Sequence, residues 1–166
     1  MPLISMKVKC NEALLSKEII ELISLSFSHT SDSSLDEWLS FSEIKKAMDR
    51  GEGVCLEAVD ESGLLIGMIY AQQENLVNGK EGFEKWVVIV EAVHPNKRGK
   101  GVGSSLLEAV EVYVKKKGAK KMFVFTNKKD KGVIDFYKKN DYEDAGWVKD
   151  YQYGEDNSAV FLLKYI

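Results

Sequence analysis

The apolar positions of this chain follow two spacings, and the switches between them lay out its elements. Residues 6–10 alternate weakly, which predicts a first strand. From Ser16 the spacing changes. Ile19, Ile20, Ile23 and Phe27 recur every three or four residues, with Glu18 in the first turn, and predict a helix. The polar run 28–34 breaks it. A second short helix is predicted over 42–49, with Phe41, Ile44, Ala47 and Met48 as its apolar side and Gly51 and Gly53 ending it. Strands 54–59 and 64–71 flank the turn Asp60-Glu61-Ser62-Gly63 and read as a hairpin. A polar connection, 75–82, leads to 86–93, the most apolar strand, whose near-continuous run suits a central position covered on both faces. Pro95 stops it. Val102, Leu106, Val110 and Val114, widened by Leu107 and Tyr113, mark the strongest helix, 101–117, closed by Gly118. A buried strand at 121–126, a helix at 132–140 and two strands at 143–153 and 159–165 complete the chain, with 154–157 as a turn.

The order is β-α-α-β-β-β-α-β-α-β-β. Helices on a mixed central sheet of six or seven strands are the economical layer solution, an α/β (α+β) fold. Strand 86–93, helix 101–117 and strand 121–126 form one crossover unit, which makes the two strands parallel if they share a sheet. The 166 residues fit one domain, 1–166. Composition changes the picture little: 45% hydrophobic and 30% charged residues exclude a disordered chain. The formal net charge of -3 gives no reason to expect a nucleic-acid partner. No run of 18 apolar residues exists, so no membrane span is expected, and the opening residues lack a signal-peptide core. The default location is the cytoplasm. Cys10 and Cys55 sit in apolar runs and read as buried thiols, and no metal site is expected, because no CxxC motif or Cys/His cluster occurs.

Candidate chemistry concentrates in Arg98-Gly99-Lys100-Gly101-Val102-Gly103, between the central strand and the long helix. Alternating glycines let a backbone turn sharply and approach a ligand closely. Free amides at a helix start attract an anion, and Lys97, Arg98 and Lys100 add positive charge. A pyrophosphate fits this arrangement; a flexible connector with a solvated basic face is the plain alternative. No GxxxxGK run followed by Ser or Thr is present. The loop also lies in mid-chain, unlike a dinucleotide fingerprint after a first strand.

Arg98-x-x-Gly101-x-Gly103 resembles the signature of the GCN5-related N-acetyltransferases: Gln or Arg, two residues, Gly, one residue, Gly or Ala. Val93-His94-Pro95 resembles the strand exit that precedes it. Asn127 after the fifth strand and Phe136-Tyr137 in the next helix resemble the family's second hallmark. Where the family usually has Gly then Phe, this chain has Asp141 and Tyr142. Asp tolerates the left-handed conformation less readily than Gly. The resemblance implies the acyl-CoA N-acyltransferase fold, acetyl-CoA as donor with CoA as product, and direct transfer to a primary amine of a small molecule or peptide. It implies pyrophosphate on the amides of Arg98, Gly99, Lys100, Gly101, Val102 and Gly103, and the pantetheine arm along Glu91, Ala92 and Val93. It implies Asn127 and Tyr137 beside the cofactor, with Tyr137 as the acid facing the thiolate; the alternatives are a polar cap and a packed ring. Homodimerisation is common in the family.

Direct transfer needs a group that takes a proton from the amine. Glu91, the only acid within 86–93, is the base candidate. Alternation puts it with Val87, Ile89 and Val93 on one face, where an ammonium would pair with it. A charge paired to Lys or Arg, or a strand edge reaching water, are the alternatives. Glu84 is a rival, and His94 reads as a loop-shaping residue. The early helices, with Trp38 and Phe41, and the cluster Tyr151, Tyr153, Glu155 and Asp156 are the acceptor-side candidates. The competing functions are a non-catalytic acyl-CoA-binding or regulatory domain and an interaction domain that has lost the ligand.

Overall fold

The computed structural model describes residues 5–11, 16–28, 35, 39–74, 84–152 and 154–166. The expectations for Trp38, Tyr153, the connection 75–82 and most of 28–34 lie outside them. The described elements follow the expected order: β1 (Met6–Asn11), α1 (Lys17–Phe27), α2 (Phe41–Asp49), β2 (Gly53–Asp60), β3 (Leu65–Gln73), β4 (Lys85–Val93), α3 (Val102–Lys116), β5 (Lys121–Asn127), α4 (Lys131–Lys139), β6 (Glu143–Val148) and β7 (Ala159–Tyr165). The strands form one mixed seven-stranded sheet, β1-β2-β3-β4-β5-β7-β6. β4 and β5 are parallel, as the crossover rule requires, and the β1-β2, β2-β3, β5-β7 and β7-β6 pairs are antiparallel.

Short-range chemistry sets the helix ends. Ser16 Oγ accepts from the Ile19 amide and starts α1; Ser40 Oγ accepts from the Glu43 amide and starts α2. Three helices close with the same pair of hydrogen bonds around one left-handed residue. At α2 it is Gly51 (φ 71°), at α3 Gly118 (φ 93°) and at α4 Asp141 (φ 68°). At α4 the Asp141 amide donates to Lys138 O (3.2 Å) and the Tyr142 amide to Tyr137 O (3.1 Å). The second expected stop of α2, Gly53, belongs to β2 instead. It leaves room for a neighbouring ring: a Cβ there would stand 2.5 Å from Tyr70 Oη.

The chain groups into two compact units, Met1–Gln72 with Ile89–Tyr113, and Gln73–Val88 with Val114–Ile166. In the first, Ile19, Leu22 and Ile23 of α1 and Ile44 of α2 join Met68 and Tyr70 of β3 in one core. On β3, Gly67 admits α3 closely. A Cβ at Gly67 would lie 2.8 Å from Val102 Cγ1 and 2.9 Å from Leu106 Cδ1. The α3 stripe is as expected, with Val102, Leu106, Leu107 and Val110 buried. Cys55 is buried, which pushes its thiol up to about 12, with the charge of Glu57 adding to the effect. Cys10 is exposed, contrary to expectation, because β1 is the edge strand.

In the second unit, β5 and β7 pair along their whole lengths and bury Met122 and Leu162. β6 is shorter than expected and exposed at all six positions. It stops at Val148, where Asp150 turns left-handed (φ 48°) and its amide donates to Ser158 Oγ. β4 is not covered on both faces as its apolar run suggests. Trp86, Val88, Val90 and Ala92 are buried, whereas Val87, Ile89, Glu91 and Val93 are half-buried.

Candidate functional site

The glycine loop leaves β4 at Val93. The His94 amide donates to Ile66 O of β3 (2.9 Å), and His94 Nδ1 accepts from the Asn96 amide (3.2 Å). His94 thus shapes the loop, as its position suggests. One 3-10 turn, Pro95–Lys97, leads to Arg98 in extended conformation (φ -64°, ψ 154°). Gly99 (φ 70°) and Gly101 (φ 84°) are both left-handed, a region that disfavours any side chain. Gly103 differs: it lies in the first turn of α3 and needs no special φ. Gly101 O accepts from the Ser105 amide (3.0 Å), so the amides of Val102, Gly103 and Ser104 come before the first intrahelical bond. No acid stands in the first turn of α3 to compete for them.

The three cations of the loop each hold a partner in the first unit. Lys97 Nζ meets Asp60 Oδ2 at 3.2 Å. Asp60 also accepts from the Ser62 hydroxyl and the Ser62 and Leu64 amides. The Ser62 hydroxyl, then Lys97 and those amides, hold its carboxyl down at about 2. Arg98 donates from Nη2 to Ser26 O (2.8 Å) and from Nε to Val93 O (3.3 Å). Lys100 Nζ donates to Asn96 O (3.1 Å). Their charge thus fixes loop backbone as well as making the loop electropositive.

Glu91, Ala92 and Val93 close β4. Ala92 is buried, and Glu91 and Val93 are half-buried on the alternate face, as expected. The β4-β5 ladder covers only Lys85–Val87 against Lys121–Phe123, and six residues of β4, Val88 to Val93, lie beyond its end. Backbone beyond a ladder can pair with something other than a strand. The rival acid, Glu84, is bound to Lys120 Nζ, whose hydrogen bond holds its carboxyl below the usual range and makes it a weak base.

Asn127 and Tyr137 lie in the second unit. Asn127 is 4% exposed. Its Oδ1 accepts from the Lys129 amide (2.9 Å) and its Nδ2 donates to Asn157 Oδ1 (3.2 Å), the contacts of a polar cap at the exit of β5. Tyr137 is 3% exposed, in the last turn of α4, with its ring edge-to-face on Phe136 (5.1 Å) and Tyr142 (5.3 Å). Tyr151 packs on Phe125 (5.4 Å) and Phe161 (5.1 Å), which gives its ring a packing role in this unit.

Two contributors escaped the sequence reading. Gly67, alone in an apolar strand, carries a legible signal of close backbone approach. Ser26 carries none: it is one of two serines in α1, yet it is buried and its Oγ donates to Val93 O (3.2 Å).

The loop fits a pyrophosphate on its own geometry. Two left-handed glycines precede helix amides that come before the first intrahelical bond, and a Cβ built at Gly99 would meet nothing within 4 Å. A seven-stranded mixed sheet with this strand–loop–helix crossover defines the acyl-CoA N-acyltransferase fold. Residues 17–142 match the acetyltransferase (GNAT) family, and the chain belongs to it.

An uncharacterized N-acetyltransferase of Methanocaldococcus jannaschii is 34% identical over 61 residues, 34% of this chain. The match spans 27% of that relative's length. Among solved structures, a GNAT family acetyltransferase from Elizabethkingia anophelis with acetyl-CoA bound superposes with a TM-score of 0.72 at 17% identity, covering 98% of this chain and 99% of that one. An aminoglycoside 6'-acetyltransferase of type Ii superposes with a TM-score of 0.73 at 20% identity, covering 96% of each chain. At these identities the likeness is one of fold.

Proposed function

We propose that the protein is an acetyl-CoA-dependent N-acetyltransferase acting directly on a primary amine of a small molecule or peptide. The observation that carries this reading is the left-handed pair Gly99 and Gly101 opening onto the first-turn amides of α3. The amides of Val102, Gly103 and Ser104 bind and orient the pyrophosphate, with those of Arg98, Gly99, Lys100 and Gly101 lining the approach. The backbone of β4 beyond its ladder with β5, at Glu91, Ala92 and Val93, runs along the pantetheine arm and takes its amide groups. When bound, acetyl-CoA supplies an activated acyl carbon.

The residues of the chain manage the protons. Glu91 takes a proton from the ammonium form of the acceptor, because only a neutral amine carries a reactive lone pair. The phenol of Tyr137 donates to the departing sulfur. Asn127 orders the β5 exit through its cap and keeps the backbone near the cofactor fixed. Support comes from the family membership and from the relative above whose structure holds acetyl-CoA. The test is acetyl transfer to a panel of amines, read as thiol release and product mass. Turnover with at least one amine, abolished or reduced about a hundredfold in Tyr137→Phe, is the expected result. Saturable acetyl-CoA binding without turnover on any amine would move the assignment to a non-catalytic acyl-CoA-binding domain.

A further inference from the structure

Arg98 stands in the cofactor signature, yet its guanidinium reaches back into the protein. Nη2 donates to Ser26 O at 2.8 Å and Nε to Val93 O at 3.3 Å, while Ser26 Oγ donates to the same Val93 carbonyl at 3.2 Å. The three groups form a closed cluster joining the end of α1, the end of β4 and the start of the glycine loop.

The chemistry of α1 explains why this cluster has an energetic reason to form. The last four carbonyls of a helix have no intrahelical donor, and a cation near them is favoured by the helix dipole. The last turn of α1 holds no basic residue. Arg98, 72 positions away in sequence, supplies both the missing donor and the missing charge. The fork of the guanidinium reaches two carbonyls at once, which a lysine ammonium on its flexible stem does not reproduce. The same residue is followed directly by left-handed Gly99. Fixing its side chain therefore fixes the direction in which the loop amides leave.

We propose that Arg98 is a positioning residue, clamped with Ser26 on the Val93 carbonyl to hold the amides of residues 99–103 for the cofactor, and not a side-chain ligand of the phosphates. This rests on the acetyl-CoA reading of the loop. It separates two roles for the signature arginine. A phosphate ligand needs charge alone, so lysine would substitute for it. A clamp needs the fork, so lysine would fail, and Ser26 would matter despite belonging to α1.

The experiment uses Arg98→Lys, Arg98→Gln, Ser26→Ala and the double variant Ser26→Ala with Arg98→Gln. Hydrogen exchange of the ligand-free proteins reads the loop with no cofactor present. Faster exchange at residues 99–103 in all four, with 121–127 unchanged, is expected. Calorimetry and kinetics at a temperature where every variant is folded then read the consequence. Both Arg98 variants should weaken acetyl-CoA binding by about tenfold and Ser26→Ala by about threefold. The effects should be less than additive in the double variant, because the two donors share one carbonyl. KM for acetyl-CoA should rise while kcat and the amine KM stay within twofold, a split that general destabilisation would not produce. Wild-type affinity in Arg98→Lys beside a loss in Arg98→Gln would overturn the clamp in favour of a phosphate contact. Unchanged loop exchange in the Arg98 variants would also overturn it. A wild-type protein that binds no acetyl-CoA overturns the acetyl-CoA reading, and the ligand-free exchange tells that failure apart from failure of the clamp.

Discussion

Tyr142 closes the turn that carries Tyr137. The Tyr142 amide donates to Tyr137 O at 3.1 Å, and the two rings meet edge-to-face at 5.3 Å and 72°. The contact is the apolar partner of the helix-terminating hydrogen bonds, with Asp141 in the left-handed position between them. The candidate acid thus stands in a rigid helix end. Tyr137→Phe keeps the ring and its packing and removes only the phenol. Its kcat should fall about a hundredfold with acetyl-CoA affinity unchanged, measured by steady-state kinetics beside calorimetry. An equal fall in affinity would assign the phenol to binding.

Asp141 carries the conformational cost of that turn. The matching positions of α2 and α3 are Gly51 and Gly118, which adopt positive φ without a Cβ clash. Asp141→Gly should therefore stabilise the protein by about 0.5–1 kcal/mol, the relief at φ 68° exceeding the added freedom of the unfolded chain. Denaturant unfolding measures it; a destabilised variant would show that the Asp side chain stabilises the turn.

Gly67 seats the start of α3. A Cβ there would stand 2.8 Å from Val102, the first residue of the helix whose amides are assigned to the cofactor. Gly67→Ala should cost about 1–3 kcal/mol of stability as the helix shifts outward. It should also raise KM for acetyl-CoA more than it lowers kcat. Unchanged stability and KM would mean that the Val102 and Leu106 side chains move aside and the helix stays.

Asp60 sets an acid limit. Its carboxyl is held at about 2, down from 3.8, by the Ser62 hydroxyl first and by Lys97 and the turn amides after it. A depressed carboxyl stabilises the fold fully above about pH 4 and loses that contribution as pH falls through about 2. The thermal midpoint of the wild-type protein should fall over that window. Asp60→Asn should start lower at pH 6 and fall less, as scanning calorimetry between pH 6 and 2 would record.

Local signals made most of the fold legible. The stripe Val102, Leu106, Val110 and Val114 marked α3, and Ser16 marked the start of α1. Alternation placed Glu91 on the less covered face of β4. The loop was legible because Gly99 and Gly101 have a conformational reason to be glycine. Long-range partnerships were not. Nothing near Arg98 announces that Ser26 receives it, nor does anything near Lys97 announce Asp60. The exposure of Cys10 follows from edge position, which local pattern does not encode. The early stop of β6 depends on the left-handed turn at Asp150, a conformation that Asp permits without requiring.

In the proposed function, Gly99 and Gly101 shape a cradle for acetyl-CoA. Calorimetric titration of acetyl-CoA into the wild-type protein and into Gly101→Glu tests it most directly. The variant places a carboxylate and a strained backbone at φ 84° at the start of α3. Saturable binding by the wild-type protein, lost in a variant shown by circular dichroism to be folded, is the predicted result. No binding at millimolar acetyl-CoA by folded wild-type protein free of copurified CoA would contradict it.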